Sequence, residues 1–225
     1  MLDFDVVWSG LPALLKGAAL TIKLTAAILL LGMLLALPLA LAKNSKHLGL
    51  RVFAHGYIGI FRGTPSLVQV FLLYYGGGQF DLLRHSFLWP VLRDPFWCTV
   101  IALGLNSAAY TAKNLAGALA AIPPGLSEAA RVLGLTRFAR LWTVELPLAI
   151  RTALPAYSNE VILTCKATSL ASTVTLIELT GSARLLASQT YAPYESFLAA
   201  GAGYLVINYV LMVVLRSAER AFAIA

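Results

Sequence analysis

A long apolar segment near the start of the chain, residues 18–42, limits the possible folds more than any other feature. It contains one charged residue, Lys23, and it exceeds the roughly 20 residues that an α-helix needs to cross a bilayer core. The segment is too long for the apolar part of a signal peptide, and Asp3 and Asp5 precede it, so we expect it to be retained. Hydrophobic residues make up 59% of the chain and charged residues 12%, which excludes an ordinary soluble domain and a disordered chain.

Four further segments are apolar enough to cross a membrane: residues 52–75, 96–119, 153–179 and 196–215. The sequence Arg62-Gly63-Thr64-Pro65 interrupts the first of these four. Residues 81–95 are predicted to form an amphipathic connection, and residues 180–194 a short link. The sequence therefore predicts an all-α integral membrane protein with five transmembrane helices, in which residues 1–225 form a single domain.

The basic residues are distributed unevenly between the two sides of the membrane that five spans imply. If the N-terminus is outside, nine of them lie in cytoplasmic segments: Lys43, Lys46, Arg51, Arg131, Arg137, Arg140, Arg151, Arg216 and Arg220. Four lie in outer segments: Lys16, Arg84, Arg93 and Arg184. Because basic residues are enriched on the cytoplasmic side, we expect the N-terminus outside and the C-terminus inside. The net charge of +7 is explained in this way without a nucleic acid partner.

The chain lacks the motifs of a nucleotide site or a metal site. Cys98 and Cys165 lie far apart in apolar segments, and His47, His55 and His85 show no metal-ligand spacing. No G-x-x-x-x-G-K-[ST] loop is present to hold nucleotide phosphates. We therefore expect no cofactor in this chain.

The polar segment at residues 121–151 carries a motif with fixed spacing. Glu128-Ala129-Ala130 is followed, after three residues, by Gly134. Nine more residues then precede the sequence Val144-Glu145-Leu146-Pro147. This pattern resembles the EAA loop of permease subunits of bacterial ATP-binding-cassette (ABC) importers, with Val144 where that family usually has Ile. The residues fit a short exposed helix: Ser127 is a suitable cap, the two alanines leave little side-chain bulk, and Gly134 can end the helix.

The resemblance implies a type I importer permease fold with a cytoplasmic coupling helix that docks into a separate ATPase. The ATP and Mg²⁺ would then be bound by that partner, and this chain would be a non-catalytic subunit. The family also implies a second permease subunit, either a copy or a paralogue, and an external solute-binding protein. The implied location is the bacterial inner membrane.

Further motifs resemble the permeases of polar amino-acid importers. They are Phe61-Arg62-Gly63-Thr64-Pro65, Asn106-Ser107-Ala108-Ala109-Tyr110-Thr111 and Lys166-Ala167-Thr168-Ser169-Leu170. The segments Tyr191-Ala192-Pro193-Tyr194 and Arg216-Ser217-Ala218-Glu219-Arg220 look like the branch for histidine, basic amino acids and opines. This resemblance implies an amino acid or an opine as the solute. An ATPase-independent carrier or channel is the alternative, and an intramembrane enzyme would need a cluster of reactive residues that the sequence does not show.

Polar side chains inside the predicted spans are candidates for the solute pathway, because burying them in a membrane is unfavourable without a partner. One face of the third span carries Asn106, Tyr110, Lys113 and Asn114. The fourth span adds Glu160, Thr168 and Ser169.

Lys113 stands where relatives generally have an acidic residue. It would contact a solute carboxylate or, alternatively, form a structural pair with a group such as Glu160. Arg62 is expected to bond to carbonyl groups freed by the helix break, and Glu178 to be solvated near the outer end of the fourth span.

Overall fold

The computed structural model describes residues 5–222, and within that range the chain is helical without a β-strand. The α-helices are α1 (Asp5–Lys43), α2 (Leu48–Gly63), α3 (Ser66–Phe71), α4 (Asp81–Arg84), α5 (Trp89–Leu92), α6 (Pro95–Ala120), α7 (Pro124–Val132), α8 (Arg137–Arg140), α9 (Leu146–Ala167), α10 (Leu179–Thr190) and α11 (Pro193–Phe222). Two π-helical turns, Leu72–Gly76 and Leu141–Glu145, and two 3-10 segments, Gly77–Gln79 and Thr168–Val174, connect them.

The centre of the fold is the contact between α1 and α6, which is lined by small side chains. A Cβ atom added to Gly104 would lie 2.7 Å from Leu31, and one added to Gly32 would lie 3.1 Å from Ser107. Farther along the same contact, the buried alanines are Ala36, Ala40, Ala108, Ala109, Ala112 and Ala116. Small residues let helices approach closely, so packing can hold these helices together within a membrane.

Within residues 5–222, two helices, α1 and α11, are long and apolar enough by themselves to cross a membrane. The helical run Arg137–Val174, which includes α9, gives a third together with α10 if that bent pair is one span. The other predicted spans correspond to α2 with α3 and to α6. The pair α2–α3 is broken at Thr64-Pro65, and α6 carries four polar side chains in its second half. The first helix is longer than predicted, because it begins at Asp5 and includes the segment before residue 18.

The fourth span differs from the prediction. Residues 153–179 are not one helix, since α9 ends at Ala167 and a 3-10 segment leads to Thr175, whose φ is +71°. The chain bends by 47° there. Residues 180–194, predicted to be a link, mostly form helix α10.

Glu178 explains where α10 begins, and the prediction that it is solvated was wrong. Its side chain is fully buried and accepts hydrogen bonds from the backbone N–H groups of Thr180 and Gly181, both at 2.9 Å. The hydroxyl of Tyr204 in α11 donates a third bond at 2.7 Å, and Thr21 in α1 donates a longer one at 3.4 Å. One carboxylate therefore caps α10 and ties it to two other helices.

Candidate functional site

The helix that carries the Glu-Ala-Ala motif, α7, is a short exposed helix, as predicted, but it begins earlier than expected. Pro124 occupies its first turn, where a missing N–H group has no consequence, and Pro123 precedes it without a side-chain cap. Ser127 is therefore inside the helix and does not cap it. Its hydroxyl donates a 2.8 Å hydrogen bond to Glu145.

The end of α7 agrees with the prediction for Gly134. Its φ is +79°, a left-handed conformation that glycine adopts without a steric penalty. Its N–H group donates to the Arg131 carbonyl at 2.9 Å, and the N–H group of Leu135 donates to the Ala130 carbonyl at 3.1 Å. This pair of bonds is a Schellman motif, which ends the helix and changes the direction of the chain.

The other motif residues divide into a buried and an exposed set. Ala130 and Leu146 are buried against the rest of the chain. Glu128, Ala129, Gly134 and Pro147 are exposed. The spacing of the motif thus places some residues where they fix the loop and others where a second protein can reach them.

Glu145 was not singled out by sequence reasoning, yet it holds the loop together. Besides the bond from Ser127, its Oε1 accepts a charge-assisted bond of 2.8 Å from Nε of Arg140. Both side chains of this ion pair are about one fifth exposed, at 19% and 20%. Glu145 lies one residue before the Leu-Pro of the motif and ends a π-helical turn, a feature that is frequent at functional sites.

Large apolar side chains at and after the end of α7 are mostly exposed, although the Phe138 ring contacts that of Trp142, with 5.9 Å between the ring centres. Val132 is 88% exposed and Leu133 80% exposed, and Phe138 after the turn is 73% exposed. With Ala129 they form the apolar part of a surface that we call the α7 surface. Exposed apolar groups gathered on a protruding helix indicate a contact with another protein.

The predicted polar face of α6 is divided among three cavities. Asn106 and Tyr110 line a cavity of about 210 Å³ together with Glu160. Lys113 lines a separate cleft, and Asn114 lines an apolar cavity beside Tyr157. The structure therefore brings together three of the predicted pathway residues, and we call their cavity the Glu160 cavity.

Thr168 and Ser169 do not line the Glu160 cavity. The hydroxyl of Thr168 donates to the carbonyl of Cys165 at 2.7 Å, and that of Ser169 to the carbonyl of Lys166 at 2.8 Å. Both residues are at the start of the 3-10 segment after α9. Their contacts in this structure belong to the bend of the chain.

Carbonyl groups at the break between α2 and α3 accept hydrogen bonds from Gln69 and Asn106, and not from Arg62 as predicted. The Phe61 carbonyl accepts from the amides of Gln69, at 2.9 Å, and Asn106, at 2.8 Å. Gln69 also donates to the Thr64 carbonyl at 3.1 Å. The guanidinium of Arg62 instead lies over the ring of Tyr110, 4.7 Å from its centre.

No ion pair joins Lys113 to Glu160 in the part of the chain that the structure describes, and these residues line different cavities. The proposed structural pair was therefore wrong for these two groups.

Residues 5–222 also hold no group of three or more histidine, cysteine, aspartate or glutamate side chains arranged to bind a metal ion.

An all-helical, apolar chain with an internal polar cavity and an exposed loop helix has the architecture of a membrane transport subunit. The chain belongs to the family described as binding-protein-dependent transport system inner membrane component, whose model matches residues 11–224. It is a permease subunit of an ABC importer for amino acids or opines, and it has the type I importer permease fold.

Three named relatives illustrate the range of solutes in this part of the family. The octopine transport system permease protein OccM of Rhizobium meliloti is 48% identical over 91% of this chain and 83% of its own length. The nopaline permease protein NocM of Agrobacterium fabrum is 42% identical over 97% of this chain and 91% of its own. The arginine ABC transporter permease protein ArtM of Escherichia coli is 44% identical over 93% of this chain and 94% of its own length.

Solved structures match almost the whole chain. A crystal structure of an amino acid ABC transporter with histidines superposes with a TM-score of 0.86 at 33% identity, over 98% of this chain and 99% of that one. An inward-facing MetNI methionine ABC transporter superposes with a TM-score of 0.80 at 17% identity, over 99% and 100% of the two chains, which shows a shared fold.

Proposed function

We propose that this permease forms half of a solute pathway and receives the movement of a separate ATPase through the α7 surface. The observation that carries the proposal is the construction of α7. The helix is exposed, it ends in a Schellman motif, and the bonds of Glu145 fix its distance from α9. A rigid attachment of this kind would let a displacement of α7 tilt the membrane helices.

The proposed orientation places α7 on the cytoplasmic side, with the N-terminus outside, in agreement with the distribution of basic residues. The ATPase would supply ATP and Mg²⁺ binding, and an external solute-binding protein would deliver the solute. A second permease subunit, a copy or a paralogue, would provide the other half of the pathway.

Within this subunit, the proposed pathway includes the Glu160 cavity. Glu160 is buried, and Thr164 one turn later lines the same cavity. Asn106 is held by its bonds to Phe61 and Gln69, so its position at the cavity wall is fixed. A carboxylate with amide and hydroxyl neighbours is suited to the ammonium or guanidinium group of an amino-acid solute.

The ATPase contact can be tested by purifying the tagged importer from native membranes in mild detergent. Ala129→Trp adds a large side chain at an exposed position of the α7 surface. We expect it to reduce the recovery of the ATPase at least about tenfold, because the indole would block close approach of the partner. Ala221→Trp, at an exposed site near the end of α11, is the matched control.

Equal ATPase recovery with Ala129→Trp and Ala221→Trp would contradict docking at α7. If the unchanged chain recovers no ATPase and transports solute without ATP, the alternative of an ATPase-independent carrier would replace this proposal.

A further inference from the structure

An apolar cavity lies where α9 meets α1 and α6. Its volume is about 270 Å³, its lining surface is almost entirely apolar, and no charged residue among residues 5–222 lines it. We call it the joint cavity, and each of the three helices contributes to its wall: Met33 and Ala36 from α1, Thr111 and Leu115 from α6, and Ile150 and Ala153 from α9. It shares no lining residue with the Glu160 cavity.

The joint cavity opens on the outside of the helix bundle, between α1 and α9. Met33 and Ile150 line it and are themselves exposed. Beside the opening, Leu30 and Leu34 of α1 are also exposed, within the segment that the sequence predicts to cross the membrane. An apolar surface at this position faces lipid chains. A ligand would therefore enter the cavity from the bilayer.

One polar atom at the joint cavity has no partner. The Oγ1 atom of Thr111 is buried and makes no hydrogen bond within residues 5–222. A buried hydroxyl without a partner is unfavourable, above all where no bulk water can replace the missing bond. A single water molecule would need about two to four polar partners, which an almost entirely apolar lining does not offer. The hydroxyl is better satisfied by the polar atom of a largely apolar ligand.

The size and polarity of the joint cavity define the class of ligand. At about 30 Å³ for each water-sized group, the cavity holds about nine non-hydrogen atoms. Lipid chains are as apolar as the lining, so apolar contact alone gives a ligand little preference for the cavity over the bilayer. A hydrogen bond to Thr111 provides that preference. The ligand that fits is a small uncharged molecule with an apolar body and one oxygen, such as an eight-carbon alcohol.

The position of the joint cavity connects it with the movement proposed for α9. Leu146, the buried leucine of the Leu-Pro motif, is part of its lining. Pro155 lies inside α9 next to the lining residue Leu154, and a proline removes one backbone hydrogen bond from a helix. Free space on one side and a missing bond allow α9 to shift against α1 and α6. A bound molecule would fill that space.

We propose that the joint cavity binds a small uncharged amphiphile through the Thr111 hydroxyl, and that the bound molecule slows transport by holding α9 in place. The binding site goes beyond the proposed function, because it belongs neither to the Glu160 cavity nor to the α7 surface. The effect on transport rests on the proposed function.

Binding is tested by photolabelling the complete importer in proteoliposomes with 3-azioctanol, an octanol that carries a photoreactive diazirine. We expect adducts on lining residues of the joint cavity, located by mass spectrometry, and their loss when octanol is present in excess. Octane should compete at least about tenfold less well than octanol, because it lacks the oxygen that would bond to Thr111.

Two variants and their controls sharpen the labelling test. Thr111→Val removes the hydroxyl at a similar side-chain size and should reduce labelling about tenfold. Its control is Thr152→Val, at an exposed position of α9 outside the lining, where the hydroxyl donates to the Leu148 carbonyl at 3.0 Å. Ala153→Leu fills the cavity and should abolish labelling, whereas Ala156→Leu, exposed and outside the lining, should not. If Ala153→Leu fails to assemble, Thr111→Val decides the test.

Equal labelling of wild type and Thr111→Val would overturn the site, because the adducts would then mark any surface that lipid reaches. In the same vesicles, octanol should inhibit ATP-dependent uptake, and half-inhibition should need about tenfold more octanol in Thr111→Val than in wild type. Equal inhibition of both would overturn the effect on transport, because octanol would then act through the bilayer. Failure of the proposed function is a different result, in which wild type shows no ATP-dependent uptake while the labelling still depends on Thr111.

Discussion

Two carboxylates, Glu145 and Glu178, fix two turns of this chain in opposite surroundings. Glu145 is partly exposed and is held by Arg140 and Ser127 on a loop that projects from the fold. Glu178 is fully buried and accepts bonds from neutral donors on three helices. The first arrangement positions the surface that we propose for another protein, whereas the second holds α1, α10 and α11 to one another.

Packing around the two turns differs in the same way. A Cβ atom on Gly17 would lie 2.9 Å from the carbonyl oxygen of Glu178, and one on Gly181 would lie 2.5 Å from that of Leu176. Beside α7, a Cβ on Gly125 or Gly134 would meet nothing within 4 Å. The bend at Glu178 is therefore close-packed, and the α7 loop has free space around it on the side where a partner is proposed.

The largest expected effect comes from removing the buried carboxylate. Glu178→Leu leaves the N–H groups of Thr180 and Gly181 without an acceptor, and each such buried donor costs about 1–3 kcal/mol. The Tyr204 hydroxyl loses its 2.7 Å bond and keeps only the longer contact with the Thr180 hydroxyl, at 3.2 Å. We expect a destabilisation of about 3 kcal/mol or more, seen as a lower thermal unfolding midpoint in detergent. Glu145→Leu should cost about 1 kcal/mol, because its ion pair is partly exposed.

If Glu178→Leu and Glu145→Leu lowered the unfolding midpoint equally, the distinction between a structural carboxylate and a positioning carboxylate would be contradicted. Glu128→Leu, at an exposed position of α7, is the control and should leave the unfolding midpoint close to that of wild type.

The sequence was informative where a turn depends on its own residues and uninformative where it depends on distant ones. Gly134 was predictable because a left-handed residue after a helix requires glycine locally. The role of Glu178 was not, since two of its donors are 157 and 26 residues away in Thr21 and Tyr204. Glu145 gave no signal either, because its bond to Ser127 depends on how the whole loop folds.

The polar face of α6 shows the same limit. Its periodicity correctly placed Asn106 and Tyr110 near each other, and both line one cavity. It could not show that α2 would separate Lys113 into a different cleft, or that Asn114 would face Tyr157 of α9. Helical periodicity predicts which residues share a face, but the neighbouring helices decide how many cavities that face lines.

A smaller effect is expected at the end of α7, and it tests whether the loop geometry itself matters. Gly134→Ala places a side chain at φ +79°, which costs about 1–2 kcal/mol for an L-residue. We expect ATP-dependent uptake to fall by more than the loss of stability alone would explain, because the strain changes the direction of the chain at the α7 surface. The loss of stability is measured as the decrease in the unfolding midpoint. Gly201→Ala is the control, since a Cβ there meets nothing within 4 Å. A loss of stability with normal uptake would contradict a positioning role for this turn.

The smallest expected effect is that of Ser127→Ala, which removes one of the bonds to Glu145 and leaves the Arg140 pair in place. A single hydrogen bond contributes about 0.5–1.5 kcal/mol, and partial exposure puts this one near the lower value. Thr21→Val is the comparison at the buried turn, where the N–H group of Leu179 donates to the Thr21 hydroxyl at 3.2 Å. Because that donor would be buried without an acceptor, Thr21→Val should lower the unfolding midpoint more than Ser127→Ala. The opposite order would mean that the α7 loop contributes more to the stability of the fold than the bend at Glu178 does. We would then describe α7 as part of the core and not as a surface for a partner.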